Sequence, residues 1–251
     1  MERRGLAARW AGRLIVAASV TLLGAAAAGA APRAPLPGTA DRNPFGLADE
    51  PAVFGPAWVR LAAEIADDRA VLGRCRADER ACPDAALRFE ALLGEGRGRS
   101  GRARVGAVNR AVNGAIRYVP DRVQHGRDDV WTRPLATLAA GRGDCEDMAA
   151  LKYAALLQLG TAPSDLRLVI VRDIRRGSLH AVAAARVDGE WLLLDNRTGM
   201  LAADRDVAAY AALAAFAEPA AAPSAASSAA TATQVAALRG SIDPEPVADL
   251  G

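Results

Sequence analysis

Residues 143–160, GDCEDMAALKYAALLQLG, and residues 166–196, LRLVIVRDIRRGSLHAVAAARVDGEWLLLDN, decide the fold, because the hydrophobic period changes between them. In the first stretch Cys145, Met148, Leu151, Ala155 and Leu159 fall on one helical face, and Gly160 supplies the stop. In the second the period is two. Leu166 to Arg172, His180 to Val187 and Trp191 to Asn196 read as strands, with Asp188-Gly189 as a two-residue hairpin turn. Upstream, Val59, Ile65 and Leu72 predict a helix beginning near Trp58, and Leu87, Leu92 and Leu93 a second. Val105, Val108, Val112 and Ile116 predict a third, which Pro120 is expected to stop. Gly94 to Gly101 and Asp121 to Gly143 read as loops. Helices segregated from a following antiparallel sheet predict an α+β domain.

The ends of the chain have a different character. Residues 1–30 read as a secretory signal: Arg3, Arg4, Arg9 and Arg13 precede an apolar run from Leu14 to Ala28, and Ala28-Gly29-Ala30 is a small-residue cleavage site. That run is short for a membrane span, so no stable membrane insertion is expected after cleavage. Residues 31–50 read as a Pro/Gly/Ala linker, 51–217 as the domain, and 218–251 as an Ala-rich tail without order. Of 251 residues 51% are hydrophobic and 24% charged, which suits one globular domain. Removing the signal's four arginines and one glutamate from 31 basic and 29 acidic residues leaves 27 against 28, a net charge of −1. A nucleic-acid binder would be strongly basic, so that class is excluded.

Export makes three cysteines an odd number for an oxidising compartment. Cys75 and Cys82 can close a small loop, or all three thiols can be reduced. Cys145 stands in the first turn of a helix, where unpaired N–H groups and the macrodipole favour a thiolate, although many free cysteines merely fill apolar space. Around the hairpin turn Val187 should face Glu190, Arg186 Trp191 and Ala184 Leu193. Continued, the register sets Val182 against Asp195 and His180 against Arg197, so His180 and Asp195 become diagonal neighbours. A thiol, a base and an orienting acid in that order follow the logic of a Cys-His-Asp nucleophile. The other histidine, His125, sits in a polar loop and reads as a surface residue. Trp131 suits either a cleft wall or the core.

Asp144, Glu146 and Asp147 oppose ionisation of the thiol between them. A hard cation with oxygen ligands, Ca²⁺ rather than zinc, would neutralise them. Helix capping explains the same residues without a metal. Spacing does not choose between the two.

Trp131-Thr132-x-Pro134, Gly143-Asp144-Cys145-Glu146-Asp147-x-Ala149-x-x-Lys152-Tyr153, His180-Ala181-Val182 and Leu194-Asp195-Asn196, in that order, resemble the bacterial transglutaminase-like cysteine proteinases. The resemblance spans roughly residues 58–200. It implies a papain/transglutaminase-like core, Cys145, His180 and Asp195 as the catalytic triad, and calcium held by Asp144 and Glu146 with Asp147 as a third ligand. Asn109 and Asn113, and the pair Cys75 and Cys82, also match the family. Further implications are a periplasmic location, a biofilm adhesin as protein substrate, and an inner-membrane cyclic di-GMP receptor as partner. After Asn196 the chain departs from the family pattern, running through an Ala-rich stretch where aromatic strand residues closing the sheet would be expected. The alternative readings are a transglutaminase-type acyl transferase and a catalytically silent calcium-dependent binding module.

Overall fold

The computed structural model describes residues 55–217, apart from positions 79 and 81. The signal segment 1–30, the linker 31–50 and the tail 218–251 lie outside the described residues.

Helix α1 (Pro56–Ala77) opens with proline at its first position, where the missing N–H costs nothing. Trp58, Leu61, Ile65, Asp68, Leu72 and Cys75 recur at intervals of three and four and form its buried face. A Cys75–Cys82 disulfide ties its end to α2 (Asp84–Gly96) and leaves Cys145 as the free thiol. The expected glycine-rich loop is shorter than its composition suggests, since α2 continues through Gly96. Helix α3 (Gly101–Ala115) buries Val105, Val108 and Val112. It ends well before Pro120, because Ile116 is already extended and the next two residues, β1 (Arg117–Tyr118), pair in parallel with β2 (Arg142–Gly143).

Between β1 and β2 the expected loop contains a turn of helix, α4 (Asp121–Gln124), and a longer helix, α5 (Pro134–Ala140). Its end signals are both in the sequence: Pro134 at the first position, and Gly141 at φ 63°, donating to the carbonyls of Thr137 and Leu138. Seven residues are too few for a hydrophobic period to stand out. The fold of α5 against α1 depends on Asp68, which is 3% exposed. Its Oδ1 accepts Arg133 Nε at 2.8 Å and Oδ2 accepts the N–H of Leu135 at 2.9 Å. Asp68→Ala leaves both donors without an acceptor. It should destabilise the domain by about 2–4 kcal/mol, read as a fall in thermal midpoint, with no change in the cleft chemistry.

Helix α6 (Cys145–Gln158) is buried far beyond the single face that its period marks. Every residue from Glu146 to Leu157 is buried, so the helix has no solvent face at all. It runs through the molecule between α2, α3 and α5 on one side and the sheet on the other.

The sheet is antiparallel, in the order β6–β5–β4–β3–β7, with β3 (Leu166–Asp173), β4 (Ser178–Val187), β5 (Glu190–Leu194), β6 (Ala202–Ala203) and β7 (Tyr210–Phe216). Asp188 and Gly189 both have positive φ, 52° and 78°, as the β4–β5 hairpin requires. The predicted register holds from Val187/Glu190 to Ala183/Leu194 and stops there, because β5 ends at Leu194. Leu166, Leu168, Ala181, Ala183 and Leu194 face the helices, while Val169, Val171, Val182, Trp191 and Leu193 form a second apolar layer on the other face.

Strand β7 corrects the expectation for the Ala-rich stretch. It closes the sheet along β3, with a bulge between Ile170 and Val171. Alanine contributes little strand preference, so the end residues carry the element. Phe216 stacks on Trp58 at 5.8 Å and meets Trp131 edge-on at 5.6 Å, and Trp58 Nε1 donates to the Ala217 carbonyl at 2.8 Å.

Candidate active site

Three separate chain segments converge where β5 stops. Beyond Ala183, β4 lacks a strand partner on the β5 side, and the N-terminus of α6 docks there. The Ala181 N–H hydrogen-bonds Cys145 Sγ, next to His180. His180 Nε2 lies 2.9 Å from Asp195 Oδ1. Cys145 and His180 line the same cleft, of about 810 Å³, walled by Trp58, Leu179, Leu213 and Phe216. Trp131 lines it too and is 8% exposed, so it serves both of its expected roles.

Asp195 and His180 meet without the ladder that the register arithmetic invoked. The loop after Leu194 is held instead from α3. Asn113 Nδ2 donates to the carbonyls of Asp195 and Thr198 at 3.0 and 2.9 Å, and Asn109 Nδ2 to Thr198 at 2.9 Å. Lys152, fully buried and two turns along α6 from Cys145, donates to the Leu194 carbonyl at 3.3 Å. Burial lowers its pKa to about 7 against the pull of the Asp195 charge. Burial alone would raise Asp195, but hydrogen bonds from His180, Tyr210 and the Arg197 N–H outweigh it and hold the carboxyl well below the usual range.

The thiol is in the opposite condition. Burial first, and then the Glu146 charge, push Cys145 far above an ordinary thiol, and its S–H donates to Glu146 Oε2 at 3.0 Å. Burial and the Asp144 charge raise Glu146 to about 9, burial raises Asp147 to about 7, and burial raises Asp144 as well.

The capping reading of these acids fails at Asp144, whose side chain makes no cap hydrogen bond; only its carbonyl serves the helix, accepting the Met148 N–H. A cation fits better. Asp121 Oδ1, Asp144 Oδ1 and Asp147 Oδ2 are buried without a hydrogen-bond partner. These three residues offer oxygens within 4.8 Å of one another, as do Asp121, Asp129 and Glu146. The other Asp147 oxygen accepts the Thr132 N–H at 2.7 Å. Gly143 makes room for that carboxylate, because a Cβ there would lie 2.7 Å from Asp147 Oδ2.

Asp121 and Asp129 were not singled out by the sequence, since nothing local marks a loop acid as a neighbour of a motif more than a dozen residues away. The β1–β2 pairing brings Asp121 in: Val119 N–H donates to Gly143 O at 3.0 Å, laying the next residues over Asp144. His125 is exposed, as expected, with Nε2 3.9 Å from Asp121 Oδ1. Among the described residues no helix is long and apolar enough to cross a membrane.

A family model for the bacterial transglutaminase-like cysteine proteinases matches residues 74–212. Among solved structures, Legionella pneumophila LapG superposes with a TM-score of 0.50 at 20% identity, covering 70% of this chain and 97% of that one. A calcium-bound structure of Legionella pneumophila LapG is similar at a TM-score of 0.49 and 18% identity, over 68% and 98% of the two chains. At such identity the likeness is one of fold. No curated protein matches the chain.

Proposed function

The chain belongs to the bacterial transglutaminase-like cysteine proteinases, and from that premise we propose that it is a calcium-dependent endopeptidase working through Cys145, His180 and Asp195. The observation that carries the reading is the 2.9 Å His180–Asp195 pair opening on the same cleft as the free thiol. Cys145 Sγ attacks the peptide carbonyl and forms a thioester as the C–N bond breaks. His180 takes the thiol proton and returns it to the leaving amine; water then attacks the thioester with His180 as base. Asp195 keeps the imidazole in the tautomer whose Nδ1 is free to accept. Backbone N–H groups at the start of α6 receive the oxyanion.

Asp121, Asp144 and Asp147 would hold calcium through the unpartnered oxygens Asp121 Oδ1, Asp144 Oδ1 and Asp147 Oδ2, with the carboxylates of Asp129 and Glu146 beside them. When bound, the ion neutralises charge that otherwise raises the Cys145 pKa. With Glu146 engaged as a ligand, His180 would be the acceptor left for the thiol proton. The all-oxygen donor set supports the choice of ion.

Residues 1–30 would direct the protein to the periplasm, where the substrate is a surface protein such as a biofilm adhesin. The inner-membrane cyclic di-GMP receptor expected from the family resemblance is the proposed regulator. The apolar cleft suits an extended segment rather than a small polar metabolite. The test is to incubate the purified protein with surface proteins of its own cell and sequence the new N-termini. Defined internal cuts, unchanged by an added primary amine, are expected. Amine incorporation in place of cleavage would make it an acyl transferase instead. A Cys145 that reacts with a thiol-directed electrophile no faster than a free cysteine would mean a silent binding module.

A further inference from the structure

Asp195 has more partners than a single imidazole requires. Its Oδ1 faces His180 Nε2 at 2.9 Å and also accepts the Arg197 N–H at 2.9 Å, while Oδ2 accepts the phenol of Tyr210 at 2.6 Å. Tyr210 is the first residue of β7, on the opposite edge of the sheet from β6, and its ring lies 5.8 Å from that of His180. Its hydroxyl is 3.5 Å from Arg197 Nη1. That guanidinium is anchored on Asp173 Oδ2 at 2.7 Å, and Asp173, fully buried at the end of β3, is itself held by the N–H groups of Arg175 and Arg176.

These contacts point to Tyr210 as a positioning residue for the reaction: its phenol locks the Asp195 carboxylate with Oδ1 toward His180 and draws charge from that carboxylate. The inference rests on the proposed triad. A carboxylate receiving hydrogen bonds at both oxygens cannot turn about its last torsion without breaking one, and a short O–H···O⁻ bond is the costliest to break. Without the phenol, Oδ2 competes with Oδ1 for the imidazole, and the ring loses its fixed aim. The same loss leaves more charge on the carboxylate, which then stabilises the imidazolium more strongly.

The charged and titratable groups around this centre include His180 from β4, Cys145 and Lys152 from α6, Arg197 after β5, Asp173 from β3 with its partner Arg176, Tyr118 from β1 and Tyr210 from β7. All but the Tyr210 phenol remain in Tyr210→Phe, which also keeps the ring beside His180.

For Tyr210→Phe, kcat for peptide cleavage should fall roughly 10- to 100-fold, the range typical for outer partners of a functional imidazole, with KM within about twofold. The acid limb of kcat/KM, set by protonation of the His180 base, should move to higher pH. Wild-type kcat in the folded variant overturns the inference. So does a reduced titre of active enzyme with an unmoved pH profile, which is what a tyrosine needed only for packing would give. The triad is tested separately by Cys145→Ala and Asp195→Asn. Activity surviving in those variants removes the premise, whereas their inactivity beside a normal Tyr210→Phe removes this inference alone.

Discussion

Cys145→Ala is expected to lower peptide cleavage by roughly 10⁴-fold or more while leaving the domain folded. The two halves of that result have separate causes. Sγ is the nucleophile that the mouth of α6 presents to a bound carbonyl, so its loss removes the covalent route and leaves only what binding and the helix N–H groups supply. Stability should not suffer, because alanine is the best helix former and the deleted thiol is a half-buried group pressed between carboxylates. His180→Ala should be comparably inactive, and the double variant no worse than either, since residues acting as a unit do not add. Cleavage rates and thermal midpoints, measured side by side, decide it. Substantial cleavage by a folded Cys145→Ala protein would end the peptidase mechanism.

Calcium removal should have the next largest effect, and its size should depend on pH. In the metal-free protein Glu146 is raised to about 9 and Asp147 to about 7, chiefly by burial. Folded-state values above the unfolded ones mean that the native state holds protons the unfolded chain releases. The associated stability is fully present below about pH 4 and is lost as pH rises through about 7 and then 9. Calcium favours the ionised carboxylates and reverses that loss. The thermal shift on adding calcium to chelator-treated protein should therefore grow from pH 5 to pH 9. At a calcium concentration 100 times Kd the stabilisation is about 2.7 kcal/mol, or roughly 5–10 °C for a domain of this size. Asp121→Asn, a change outside both the GDCED motif and the triad, should lose most of the shift. An equal shift in that variant, or none at millimolar calcium in the wild type, would leave the buried oxygens of Asp121, Asp144 and Asp147 without this explanation.

The two results depend on parts of the site with different legibility. Cys145, His180 and Asp195 can be named from the sequence because each sits on a locally encoded element: a helix start, a strand, and the far end of a two-residue hairpin. The hairpin arithmetic is right along β4 and β5 and wrong past Leu194, since Asp195 lies beyond the ladder and is held by Asn113 and Asn109 on α3. The Ala-rich stretch after Asn196 looks unable to close the sheet. It does so because the preference lost at alanine is recovered by Phe216 packing on Trp58 and Trp131, partners far away in the chain.

By itself the sequence determined the helices with a clear period, the turn at Asp188-Gly189, the change from helix to sheet, and the chemical types gathered in GDCED. All of these arise from interactions within a few residues, which is the distance over which backbone preference and hydrophobic period act. Only the tertiary structure decided that Asp121 and Asp129 join Asp144 and Glu146, that Tyr210 closes on Asp195, and that Lys152 is buried beneath the site. Those meetings depend on which surfaces the packed core brings together, through a two-residue parallel ladder and an edge strand whose stabilising contacts come from distant segments. No local pattern encodes such a contact, because its free energy is gained only once the rest of the chain has folded around it.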